Sequence, residues 1–182
     1  MINLPNALTV LRLLLVPVVV AFLIAGGTTA RIMAFVVFGL ASLTDLLDGE
    51  LARRSGLVTD FGKIADPIAD KALTGAALIS LSALGEVAWW VTVVIMVREV
   101  GVTLLRFWVL RWGVIAASRG GKAKTLLLMV AIGLYILPIR LNLLRELVMA
   151  AALAVTLVTG ADYVMRAIRL RQAKRSAAGS GD

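Results

Sequence analysis

Four aspartates of the 182-residue chain stand at spacings that suit shared chemistry: Asp45 and Asp48 are three apart, Asp66 and Asp70 four apart. On helices, each pair falls on one face. They dominate a concentration of six of the 11 acids between residues 45 and 70. Four converging carboxylates repel one another unless a cation relieves them. The chain contains no histidine and no cysteine, so hard oxygen ligands favour Mg²⁺, Mn²⁺ or Ca²⁺ over zinc. The same absence excludes disulfide frameworks, thiolate chemistry and His-based triads. An ordinary salt-bridge cluster with Arg53, Arg54, Lys63 and Lys71 is the alternative, and the paired spacing argues against it. Gly49 and Gly62 add weight, because glycine costs a helix about 1 kcal/mol relative to alanine and allows a phosphate close to the backbone. Asp45-Leu-Leu-Asp48-Gly49 lacks the alternating ligands of an EF-hand, and Gly120-Gly121-Lys122 lacks the spacing of a P-loop.

The elements that must position these residues are membrane helices. Hydrophobic residues make up 60% of the chain and charged ones 16%, with mean hydropathy +0.96; a soluble domain is about a quarter charged. Six helix-length apolar stretches are expected, at 7–25, 31–51, 61–84, 87–110, 124–138 and 145–165, separated by turn signals at 26–29, 53–56, 84–86, 118–121 and 138–142. Twelve basic residues fall in 51–63, 111–124 and 166–175, against three at Arg31 and in 139–146. The positive-inside rule therefore predicts an all-α, six-transmembrane-helix bundle with both termini in the cytoplasm and the aspartates near the cytoplasmic face. One membrane domain is expected over 1–175, with a disordered tail at 176–182. The first apolar stretch reads as a retained span rather than a signal peptide. On so apolar a chain, the net charge of +8 points to anionic lipid rather than nucleic acid.

Arg12, Lys71, Arg98 and Arg106 remain stranded inside expected helices, where charge is costly unless it faces a cavity or a partner. For Arg12, near a helix end, snorkelling to the interface is an equal alternative. Glu99 and Arg106 are seven apart and share a face, with Arg98 about 100° round, so this helix is expected to line a polar cavity. Trp89, Trp90, Trp108 and Trp112 flank it like an aromatic belt.

Written out, the acidic segment is Asp45-x2-Asp48-Gly49-x2-Ala52-Arg53-x8-Gly62-x3-Asp66-x3-Asp70, eight fixed residues at fixed spacing. This resembles the full signature of the CDP-alcohol phosphotransferase family. Three further stretches, 3–12, 98–106 and 117–125, are similar to bacterial phosphatidylglycerophosphate synthases within it. One departure stands at Leu128, where that pattern has glutamine.

The resemblance implies a six-helix membrane enzyme, usually a homodimer, that displaces CMP from CDP-diacylglycerol by sn-glycerol 3-phosphate. It implies two Mg²⁺ or Mn²⁺ ions on Asp45, Asp48, Asp66 and Asp70, with Asp70 as the general base, and contacts to the CDP moiety from Gly49, Arg53 and Thr59. Arg53 suits that place because guanidinium binds phosphate in a fixed fork. The acceptor's phosphate needs its own cations, for which Arg98, Arg106, Lys122 and Lys124 are the candidates. For Lys122 and Lys124, binding of anionic membrane lipid is the alternative, and Lys71 could tune Asp70 or pair with Glu99. Serine, inositol phosphate or phosphatidylglycerol are rival acceptors. A divalent-cation transporter is the rival of another class, and it would need acids along the whole bilayer, whereas the outer half offers only Glu86 and Glu146.

Overall fold

The computed structural model describes residues 4–55, 60–109, 119–139 and 141–179, with side chains placed for 7–44, 68–105, 108, 123–139 and 141–172. Its regular structure, among these residues, is six α-helices: α1 Leu4–Ala25, α2 Gly27–Ser55, α3 Asp60–Ala83, α4 Trp89–Val109, α5 Arg119–Ile136 and α6 Asn142–Gly179.

The connections follow from local chemistry. α1 and α2 are separated by one residue, with Gly26 at φ 67° and Gly27 at φ 77°, conformations that a side chain would strain. α3 ends in a Schellman motif: Gly85 takes φ 75°, its N–H donates to the Ser82 carbonyl at 3.0 Å, and the Glu86 N–H donates to the Leu81 carbonyl at 2.9 Å. Pro138 follows the end of α5, where a proline cannot continue the helix.

Each of the six apolar stretches becomes a helix, with shifted boundaries. α2 starts at Gly27, inside the turn expected at 26–29. Gly120-Gly121, expected in a turn, lies in the first turn of α5. α6 runs on through the Arg-, Ala- and Gln-rich stretch after Met165, all good helix formers, and into the segment whose composition reads as tail. Three helices are long and apolar enough to cross a membrane, over Ala7–Ala25, Gly27–Thr44 and Asn142–Gln172, with a shorter apolar helix over Ala123–Ile136. Asp66, Asp70 and Lys71 dilute the apolar content of α3, as Arg98, Glu99 and Arg106 do that of α4.

α1 packs on α2 and α3, and α6 packs on α4 and α5; α3 contacts α4 and α5, and α2 contacts α5. Leu23, Phe38, Leu78, Ile95, Ile132 and Ala152 lie in the buried core between them. Small residues set the closest approaches: a Cβ on Gly75 would come within 2.7 Å of the Met96 methyl, and one on Gly133 within 3.1 Å of the Phe35 ring. Outside, Leu14, Ile24, Val97, Leu143 and Val158 are each more than 60% exposed. Apolar side chains so widely displayed suit lipid rather than water.

At the end of the bundle remote from the aspartates, Arg31 at the start of α2 is ion-paired with Glu86 of the α3–α4 connection. It also donates to the Tyr135 carbonyl of α5 at 3.3 Å. The Arg145 guanidinium of α6 lies 5.0 Å from the centroid of the Tyr135 ring. Four elements are thereby tied at one point.

Candidate active site

α2 carries Asp45, Asp48, Gly49 and Arg53 in its last turns, and α3 carries Asp66 and Asp70 in its first three. Both segments are continuous helix, so each aspartate pair keeps its one-face spacing. The side chains of Asp45, Asp48, Gly49, Arg53, Asp66, Arg106 and Lys122 lie outside the described residues, as does Thr59 altogether. No group of three or more potential ligands occurs among the described residues, since Asp70 alone of the four aspartates has a described side chain.

Asp70 stands beside a buried charge cluster. Lys71 Nζ lies 3.2 Å from Asp70 Oδ2 and 3.2 Å from Glu99 Oε2 on α4, so the two partners considered for Lys71 are both engaged. Lys124 of α5 donates to Glu99 Oε1 at 2.5 Å. Arg98 donates from Nη1 to the same oxygen at 2.9 Å, and from Nη2 to Thr159 Oγ1 on α6 at 2.7 Å. Thr159 is itself tied back to the Val155 carbonyl at 2.7 Å, and Thr103 to the Glu99 carbonyl at 2.8 Å. Glu99 and Lys124 side chains are each only 8% exposed, against 26% for Asp70. Three cations thus surround one carboxylate, at the mouth of which a second carboxylate is still reached by solvent.

A small pocket lies at this place, lined by Asp70, Lys71, Thr74, Glu99, Lys124 and Thr125, with Met96, Leu128 and Met129 as its apolar wall. Of the candidates for the acceptor phosphate, Lys124 lines it directly. Arg98 does not, because its guanidinium is turned toward α6. Leu128, the one departure from the subfamily pattern, is buried in the pocket wall.

Sequence reasoning offered Glu99 only as a possible partner of Lys71 and missed its central part, and it missed Thr159. An acid next to an arginine inside an apolar helix was the available signal for the first. Thr159 carried none, since an intramembrane threonine commonly bonds its own helix. Arg12 is buried, at 2% exposure, which settles against snorkelling. Thr44 donates to the Ala41 carbonyl of its own helix at 2.8 Å.

Residues 2–158 match the family described as CDP-alcohol phosphatidyltransferase. The chain is 54% identical over 172 residues to a protein of Mycobacterium tuberculosis (strain H37Rv) named probable phosphatidylglycerophosphate synthase, a match covering 92% of this chain and 82% of that one. It is 38% identical over 168 residues to a protein of Rickettsia felis, covering 88% and 93%, and 36% identical over 181 residues to one of Bacillus subtilis, covering 90% and 94%. Both of these are named CDP-diacylglycerol--glycerol-3-phosphate 3-phosphatidyltransferase.

Proposed function

The chain belongs to the CDP-alcohol phosphatidyltransferase family, and from that membership we propose that it transfers the phosphatidyl group of CDP-diacylglycerol to sn-glycerol 3-phosphate, giving phosphatidylglycerophosphate and CMP. The observation that carries the acceptor assignment is the pocket in which Asp70 stands beside the ammonium of Lys71 and which Lys124 also lines. A carboxylate next to fixed cations suits an acceptor that offers both a hydroxyl to deprotonate and a phosphate to hold. The names of the relatives agree with it.

In this reading the acceptor hydroxyl attacks the phosphorus that bears the diacylglycerol. A new P–O bond forms to the acceptor, the P–O bond to CMP breaks, and the hydroxyl proton passes to Asp70. Lys124 holds the acceptor phosphate, assisted by Lys122 and Arg106, while Arg98 acts from behind through Glu99. Gly49, Arg53 and Thr59 hold the CDP moiety.

Members of this family generally depend on a divalent metal. The donor set fits one: Asp45, Asp48, Asp66 and Asp70 offer only hard oxygen on continuous helices, in a chain without histidine or cysteine. When bound there, two Mg²⁺ or Mn²⁺ ions would neutralise the diphosphate and the departing CMP.

The reading extends to a single membrane domain over 1–175 with six spans, in the cytoplasmic membrane, with both termini and the site at the cytoplasmic side and the protein a homodimer. The orientation is supported by the excess of basic residues in the even-numbered loops and the C-terminal segment. Exposed Trp89 and Trp90 at one end of α4 and Trp108 at the other suit two interfaces.

The test is CMP release by the purified protein with CDP-diacylglycerol and magnesium, offering glycerol 3-phosphate, phosphatidylglycerol, serine and inositol phosphate in turn. Release with glycerol 3-phosphate alone is expected. Release supported only by another acceptor would overturn the assignment.

A further inference from the structure

We infer that Glu99 is a positioning residue that fixes Lys71 and Lys124 beside Asp70, where they meet the phosphate of a phosphomonoester acceptor; this rests on the glycerol 3-phosphate reading above. Four observations converge on it. Glu99 receives Lys71 on one oxygen at 3.2 Å and Lys124 on the other at 2.5 Å, so one carboxylate fixes cations from α3 and α5. Both lysines line the pocket that contains Asp70. Glu99 is held in turn by Arg98 at 2.9 Å, and Arg98 by Thr159 at 2.7 Å. The Arg98 stem is seated on Gly160, where a Cβ would lie 3.0 Å from Nε and 3.1 Å from Cγ. The chain of contacts therefore runs from α6 through α4 to the two lysines, with Thr159 and Arg98 behind the pocket and Glu99 and the lysines lining it.

Stability alone does not account for such a cluster. Well-packed apolar residues usually replace buried ion pairs at no loss of stability, and charge inside a membrane helix generally serves a ligand or a pathway. The charge count identifies the ligand class. Lys71, Arg98 and Lys124 bring three positive charges against two negative ones on Asp70 and Glu99. Among the described residues one positive charge is left over, next to ammonium groups that each carry three donors. A small phosphomonoester, close to dianionic at neutral pH, complements that surplus, whereas a neutral alcohol does not. Glu99 is then the resident anion that keeps the lysines apart and aimed while the acceptor is absent.

Steady-state kinetics of wild type, Glu99→Gln, Glu99→Asp and Thr159→Val test this, with glycerol 3-phosphate and CDP-diacylglycerol varied separately. Glu99→Gln is expected to raise KM for glycerol 3-phosphate about tenfold and to leave KM for CDP-diacylglycerol within about twofold, a tenfold change being about 1.4 kcal/mol. Glu99→Asp is expected to recover part of the loss, and Thr159→Val, which removes only the outer anchor of Arg98, to raise the acceptor KM about threefold. Should Glu99→Gln not fold, Thr159→Val carries the decision by the same split. An unchanged acceptor KM, or equal rises for both substrates, would overturn the role of Glu99. A wild type that releases no CMP with glycerol 3-phosphate would instead overturn the acceptor assignment and this inference with it.

Discussion

Removing Glu86 tests whether the ion pair at the far end of the bundle holds the helices together independently of the chemistry. The Arg31 and Glu86 side chains are 16% and 23% exposed, between the surface case, worth roughly 0–1 kcal/mol, and full burial, where losing one partner costs about 3–5 kcal/mol. Glu86→Ala leaves Arg31 with the Tyr135 carbonyl at 3.3 Å and with the like charge of Arg145 nearby. A cost of about 2 kcal/mol follows from that intermediate burial. In a chain of this size 1 kcal/mol moves the unfolding midpoint by roughly 2–4 °C, so the apparent midpoint should fall by about 4–8 °C. The assay is heating in detergent, followed by tryptophan fluorescence and by the fraction remaining monodisperse. The double variant Arg31→Met with Glu86→Ala should regain at least half of the loss, because it strands no charge. Turnover well below the midpoint should stay within about twofold of wild type in both, a factor of two being about 0.4 kcal/mol. A midpoint within 1 °C of wild type for Glu86→Ala, or a double variant as unstable as the two single losses added, would refute the argument.

Three further outcomes are expected. Asp70→Asn should lower turnover by roughly 10²–10⁴ while leaving metal-dependent binding of the CDP-lipid largely intact, measured by equilibrium binding of labelled lipid; lost binding would make Asp70 chiefly a metal ligand. Lys124→Met should raise KM for glycerol 3-phosphate by about tenfold to a hundredfold, the worth of a charged hydrogen bond of roughly 1.5–3 kcal/mol, and an unchanged KM would remove Lys124 from the acceptor site. Chelation should abolish CMP release, with Mg²⁺ or Mn²⁺ restoring it; activity that persists in excess chelator, or that only zinc restores, would contradict an all-oxygen site.

Six apolar stretches were enough to count the helices, because each is bounded by glycine, proline or charge. Their ends were less legible. Gly120-Gly121 looks like a turn in isolation, yet it lies within α5, and the basic stretch after Met165 looks like a departing tail, yet its residues are good helix formers and α6 continues through them. The aspartate pairs were readable from spacing, which is a property of two helices adjacent in the chain. The Glu99 cluster was not, since Lys71, Glu99, Lys124 and Thr159 come from four helices and meet only once α3, α4, α5 and α6 are packed. Arg98 illustrates the same limit: its type and depth marked it as functional, but only the packing of α6 shows that it faces away from the pocket.

The neighbouring placement of opposite charges has a consequence for how the protein is made. Asp70 and Lys71 are adjacent in the chain and 3.2 Å apart, as Arg98 and Glu99 are adjacent and 2.9 Å apart. In the six-span reading proposed above, each of α3 and α4 brings a counter-ion of its own when it leaves the translocation machinery, before any partner helix has arrived. Partitioning a locally neutral pair into hydrocarbon costs less than partitioning either charge alone. Lys124 has no such companion on α5, but it lies near the start of that helix, where it can wait among the lipid headgroups until Glu99 is within reach. Insertion and site assembly then share one event, the capture of Lys124, which cannot happen before the fifth helix is synthesised.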